Sequence, residues 1–206
     1  MKRVDSTSSL RVALYGGAFS PPHLGHASII EAVLRLFPCD EIWVMPSANR
    51  HDKIISASEK HRLDMLKIMI DELYKNPKVP IIISDFELKI NKPTATYETL
   101  KMLSEEYPNH EFYFVLGSEN LDIDKIESSW VEGKKLFKET SFIAIKNPNS
   151  PLPDKLPPHL TILENVAWTT ISSTFLRNLL EKGYSGIPYL TKGVADYIKE
   201  NRLYEN

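Results

Sequence analysis

Short apolar runs alternate with segments of helical periodicity along most of this 206-residue chain, and that alternation is its strongest constraint. Leu10–Tyr15, with Val12 and Leu14, ends at Gly16-Gly17, which reads as a strand entering a tight turn. From Leu24 to Phe37 the residues Ile29, Ile30, Val33, Leu34 and Phe37 recur at helical spacing, and Pro38 stops that helix. Glu41–Met45 reads as a second strand. Ser56-x-x-Glu59 forms a capping box for a helix to Tyr74 whose buried stripe is Leu63, Leu66, Ile70 and Leu73. Val79–Ser84 is a third strand, and Ile81-Ile82-Ile83 predicts burial on both faces. Then come a helix from Thr96 to Tyr107 and strands at Phe112–Leu116, Phe142–Ile145 and Leu160–Leu163. Two helices, Ser173–Glu181 and Thr191–Asn201, close the pattern. Asn147–Pro158 holds five prolines and is an irregular loop.

Strands alternating with helices imply an α/β fold: a Rossmann-like, doubly wound and mainly parallel sheet with helices on both faces. Residues 1–206 are expected to form a single domain, with a helical C-terminal part at about 170–206. In such sheets ligands bind beyond the carboxyl ends of the strands. That rim should carry the Gly16-Gly17 turn, the loop after Pro46, Gly117 and the segment before Ser172.

Composition narrows the function. The 25 basic and 27 acidic residues nearly balance, which argues against a nucleic-acid binder. The single cysteine, Cys39, excludes an intramolecular disulfide and a thiolate metal cluster, and is read as a structural thiol. No apolar stretch suits a signal peptide or a membrane span, so the expected location is the cytoplasm. The sequence is compatible with a homo-oligomer.

The segment Gly16-Gly17-Ala18-Phe19-Ser20-Pro21-Pro22-His23-Leu24-Gly25-His26 carries the most chemistry. Two glycines let the backbone approach a ligand, and the helix start that follows offers free N–H groups to a phosphate. His23 and His26 lie three apart and can face the same way. Gly25 between them leaves room for a ligand. A nearby phosphate favours the protonated imidazoles, and two cationic donors would stabilise charge on a transferring phosphoryl group. Taken alone, a Gly-Gly turn followed by His-x-x-His is better explained by a turn and a helix cap. Two histidines without a third ligand do not make a zinc site.

Far along the chain, Ile171-Ser172-Ser173-Thr174-Phe175-Leu176-Arg177 opens another helix, where hydroxyls, backbone N–H groups and the Arg177 fork can meet an anion.

The first segment resembles the Gly-Gly-x-Phe-x-Pro-x-His-x-Gly-His signature of the nucleotidylyltransferase superfamily, and especially of the nicotinate-nucleotide (nicotinate/nicotinamide mononucleotide) adenylyltransferase family. Ser20 stands where that family usually has aspartate. The second resembles the family's Ile-Ser-Ser-Thr-x-Ile/Leu-Arg signature, and the two occur in the family's order. The resemblance runs from about Leu10 to Tyr204.

It implies transfer of AMP from ATP to nicotinate mononucleotide in NAD biosynthesis, with pyrophosphate released and Mg²⁺ arriving with ATP. His23, His26 and Arg177 would be the catalytic residues. Gly16, Gly17, Ala18, Phe19, Gly117, Glu119, Ile171, Ser172 and Ser173 would complete the ATP site. Glu119 keeps the carboxylate of the family's Gly-Ala/Ser-Asp segment with one more methylene. Thr94–Leu100 resembles the segment in which a helix start receives the nicotinate carboxylate; Thr96 and Thr99 fit it and Ala95 replaces a tyrosine. Trp130 resembles the tryptophan that stacks on the pyridine ring. In the loop Arg50-His51-Asp52-Lys53 the lysine matches a phosphate-facing residue, while Asp52 sits where a histidine is usual.

Acceptor-binding residues are therefore Lys53, Thr96 and Trp130. Nicotinamide mononucleotide, or both acceptors, is the alternative. Phosphopantetheine adenylyltransferases and cytidylyltransferases share the first signature and are more distant alternatives, against which the Thr96-x-x-Thr99-Leu100 segment and Trp130 argue. A catalytically silent nucleotide sensor is the reading from another class.

Overall fold

The computed structural model of the protein describes residues 9–48, 55–90, 92 and 94–205. Six strands form one sheet: β1 (Leu10–Gly17), β2 (Glu41–Pro46), β3 (Ile81–Ile83), β4 (His110–Gly117), β5 (Ser141–Ile145) and β6 (Leu160–Leu163). Their order is β3-β2-β1-β4-β5-β6 and every neighbouring pair is parallel. The winding direction reverses between β1 and β4, so a crevice opens there, beyond the strand ends. Gly17 pairs with Pro46, and Gly117 with Ile145, which brings three of the expected rim positions, Gly17, Pro46 and Gly117, to one edge.

Alternation along each strand sorts side chains into two cores. Ala13 and Tyr15 of β1, Ile42 and Val44 of β2, and Ile143 and Ile145 of β5 join one cluster. Val12 and Leu14, Trp43 and Met45, and Phe142 and Ala144 join the other. The first is covered by α1 (Leu24–Leu36), α2 (Glu59–Leu73), α7 (Ser173–Glu181) and α8 (Lys192–Glu200), and the second by α4 (Thr96–Glu106), α5 (Ile123–Ser129) and α6 (Gly133–Glu139). Cys39 is buried between α1 and β2, and burial pushes its thiol up, as suits a structural thiol.

Three details differ from the sequence reading. The third strand is shorter and lies at the sheet edge, where Ile82 is 37% exposed, so it is not buried on both faces. Pro80, just before it, suits an edge position because it has no N–H to donate. The cap of α2 is Ser58, whose Oγ accepts from His61 N at 3.4 Å. Ser56 is not the cap, since Ala57 N is turned instead to Ser20 Oγ at 3.3 Å. The buried stripe of α2 is Arg62, Met65, Leu66, Met69 and Ile70, and Leu73 is exposed at 43%.

The short helices α3 (Phe86–Ile90), α5 and α6 were not legible in the sequence. Each is too short for a helical period to emerge, and α5 and α6 are anchored by single buried side chains, Ile126 and Leu136. Where α6 starts, Glu132 has φ 55 and Gly133 packs against the end of α5. A Cβ on Gly133 would lie 1.9 Å from the backbone oxygen of Ile126. Gly133→Ala is therefore expected to lower stability by about 1–3 kcal/mol, read as a fall in the urea midpoint. An unchanged midpoint would show that α5 and α6 can separate without cost.

Candidate active site

After β1 the chain enters a turn that its own strand cannot satisfy. Phe19 takes φ 48, sparsely populated for a residue with a side chain, and its ring is fully buried against Tyr15 (centroids 5.5 Å apart) and His26 (4.8 Å). The ring also lies under Gly17, where a Cβ would meet it at 3.1 Å. Ser20 Oγ bonds Tyr204 OH at 3.0 Å and accepts from Ala57 N, so the serine is held by two distant segments.

At the start of α1 the two histidines stack, with ring centroids 3.7 Å apart and planes at 26°. His23 N donates to His26 Nδ1 at 3.1 Å, which leaves the His26 proton on Nε2. Gly25 lines a cavity beside them, and a Cβ there would meet the His23 ring at 2.9 Å and Thr169 at 3.1 Å.

The second signature docks onto this turn. Ser172 caps α7, its Oγ accepting from Phe175 N at 3.2 Å. Ser173 Oγ donates to Pro21 O at 3.0 Å, and Arg177 donates from Nη1 to Ser20 O at 2.8 Å and from Nη2 to Thr174 Oγ1 at 3.1 Å. A cavity of about 360 Å³ opens between the two segments, lined by Ala18, Phe19, His23, His26, Glu119, Ile171, Ser172, Ser173 and Arg177. A neighbouring cavity of about 240 Å³ is walled by Gly16, Gly17, Thr96, Thr99 and Trp130, and the two share Ala18 and Ile55.

Electrostatics in the free site differ from a pair of ready cations. Burial pushes the His23 imidazole down to about 4. His26 is held well below the ordinary histidine value by burial, with the neighbouring His23 adding to it. Both rings are neutral near pH 7 in the free protein, so charge on either must come from a bound anion. Among the described residues no group of three or more His, Cys, Asp and Glu could hold a metal ion.

The model of the cytidylyltransferase-like family matches residues 14–179. Over 95% of this chain and 98% of its relative, it is 31% identical to a probable nicotinate-nucleotide adenylyltransferase of Bacillus licheniformis. The chain belongs to the nicotinate-nucleotide adenylyltransferase family. The nicotinate-nucleotide adenylyltransferase of Bacillus subtilis is 28% identical to it, over 95% of this chain and 99% of that one. Among solved structures, Plasmodium falciparum nicotinic acid mononucleotide adenylyltransferase complexed with NaAD superimposes with a TM-score of 0.82 at 32% identity, covering 95% of this chain and 97% of that chain.

Most adenylyltransferase positions read from the sequence meet at these two cavities. Gly16 and Gly17 face the second cavity and not the one that holds the histidines. Gly117 ends β4, and the Glu119 carboxylate folds back over it, also accepting from Asn147 Nδ2 at 3.4 Å. Lys53 lies outside the described residues, as does the rest of the Arg50–Lys53 loop.

Three residues were missed. Trp168 joins Ile29 and Ile145 in the apolar wall of the first cavity, a role that a lone tryptophan in a coil segment does not signal. Glu87 lines the second cavity and accepts from Thr99 Oγ1 at 2.8 Å and Ala48 N at 3.3 Å. Arg62 holds the turn from behind; its signal was a charged residue on the apolar stripe of its helix.

The depressed histidines make stability depend on pH. Unfolding frees imidazoles of ordinary value 6.5, so between about 4 and 6.5 the unfolded chain binds more protons. Their contribution is complete above 6.5 and is lost as pH falls through that window. The urea midpoint is expected to drop across it, and to drop less in a His23→Gln/His26→Gln double variant. An equal drop in both proteins would assign the dependence to other groups.

Proposed function

We propose that the protein transfers AMP from ATP to nicotinate mononucleotide, giving nicotinate adenine dinucleotide and pyrophosphate. The observation that carries this reading is the docking of the Ser172–Arg177 helix start onto the His23–His26 turn, with a second cavity sharing the Ala18 wall. Transfer between two bound nucleotides needs adjoining compartments that expose one phosphorus to one oxygen. The family relationship supports the same substrates.

An oxygen of the mononucleotide phosphate attacks the α-phosphorus of ATP in line, and the bond to the β-phosphate bridging oxygen breaks as pyrophosphate leaves. The nucleophile is already an anion, so the protein's part is positioning and charge stabilisation. His26 offers its Nε2–H, because its Nδ1 is occupied by His23 N. The approaching phosphates raise both imidazoles towards the cationic form, strengthening the donors where the charge develops. Arg177 is oriented in advance by Ser20 O and Thr174 Oγ1. Ser173 has its hydroxyl proton on Pro21 O, so α7 presents backbone N–H groups, beside the Ser172 hydroxyl, to the leaving pyrophosphate.

The donor set does not cage a metal, and Mg²⁺ belongs to this reading as part of the Mg²⁺-ATP substrate. Thr96 and Trp130 line the acceptor cavity, where the start of α4 favours a ring carboxylate over a carboxamide. We also read the chain as one domain, because α7 and α8 share the core that α1 and α2 build on the sheet.

Purified protein with Mg²⁺-ATP is expected to release pyrophosphate faster with nicotinate mononucleotide than with nicotinamide mononucleotide. Preference for the amide would keep the reaction and reassign the acceptor pocket; silence with both would remove the reading. In the active enzyme, His26→Ala should lower kcat by about 10²–10³. A folded variant with unchanged turnover would take His26 out of the mechanism.

A further inference from the structure

Arg62 sits on α2, behind both cavities, and is fully buried at 0% exposure. It lines neither cavity. Its Nη1 uses both protons on carbonyls from two different turns, Ala18 O at 2.9 Å and Ser47 O at 2.8 Å. Ala18 follows β1 and forms part of both cavity walls; Ser47 follows β2 and lines the second cavity. A backbone bond from Ser47 N to Gly17 O at 2.8 Å runs beside the guanidinium and ties the same two turns. Nε and Nη2 find no hydrogen-bond partner among the described residues.

Stability alone does not account for such a residue. Desolvating a guanidinium is costly, and two of its donors are left without a partner among the described residues, so the residue is an expensive way to fill a core position. Its neighbours on the stripe, Met65, Leu66 and Met69, are all apolar. What an apolar side chain cannot do is hold two carbonyl groups at a fixed separation. Main-chain carbonyls in a turn have no ladder partners, and the donors that find them decide where the turn rests.

We infer that Arg62 is a positioning residue for adenylyl transfer, fixing the turn after β1 against the turn after β2 and so setting the distance between the two bound nucleotides. This rests on the reading of the two cavities as the ATP and mononucleotide sites. The reaction needs the attacking oxygen and the α-phosphorus near contact and in line, and a misplacement of about 1 Å can cost about 10²-fold in rate. Each nucleotide keeps its own contacts when the turns drift apart. The loss therefore falls on turnover and spares binding.

The test compares wild type with Arg62→Met and Arg62→Lys, measuring kcat and both KM values on the folded fraction set by thermal unfolding of the same samples. Arg62→Met is expected to lower kcat by about 10–100-fold with both KM values near those of wild type. Arg62→Lys should recover part of that loss, because an ammonium can hold a carbonyl but lacks the rigid fork. A folded Arg62→Met enzyme with wild-type kcat would overturn the inference, as would a loss fully explained by the unfolded fraction or one confined to KM. Wild type that forms no dinucleotide would overturn the underlying reading and the inference together, an outcome that the variants alone cannot produce.

Discussion

Everything at the carboxyl edge of this sheet depends on how the carbonyl groups of one turn are satisfied. Beyond Gly17 the chain leaves the ladder, and its oxygens must find donors elsewhere or remain desolvated at a cost. Ala18 O takes a proton from Arg62, Ser20 O from Arg177 and Pro21 O from Ser173. Three donors from α2 and α7 thus converge on four residues of backbone. The contacts that hold the turn are also those that bring Arg177 beside the histidines. Building the site and bracing it are one set of bonds.

The same economy shows in the imidazoles. Stacking, burial and the His23 N–H lock His26 in one tautomer with its proton aimed away from the backbone. Burial keeps both rings neutral until an anion arrives, so the free protein does not carry two buried positive charges. Glu119 at the rim and Glu87 beside the second cavity add carboxylates whose hydrogen bonds go to neighbouring amide and hydroxyl groups. Both lie in cavity walls, Glu119 in the first and Glu87 in the second, and Arg177 stands in the first wall with Glu119.

What could be read in the sequence was what is decided locally. A strand ending in two glycines, a helix start with paired histidines and a serine-capped helix each have a short-range cause, and all three stand where the pattern put them. In the folded sheet, strand alternation places Val12 and Ala13, and Trp43 and Val44, on opposite faces. Errors arose where tertiary contact overrides local preference. Ile82 is as apolar as its neighbours but lies on the edge strand and stays 37% exposed. Leu73 fits a helical stripe, yet the buried stripe runs through Arg62, Met65, Leu66, Met69 and Ile70 and leaves Leu73 exposed. Trp168 and Glu87 gained their places only when distant strands met, and no spacing in their own segments announces that.

The bonds that complete the turn reach far along the chain. Arg177 meets Ser20 across 157 residues, and Tyr204 meets the same serine across 184. The sheet can be paired strand by strand as its segments become available, but this corner waits for the far end. Until the last helices have emerged, the turn has its donor from α2 but lacks those from α7, and the sheet face that α7 and α8 cover stays open. A chain cut before Arg177 loses Leu180, Val194 and Ile198 from its core together with the donor to Ser20 O.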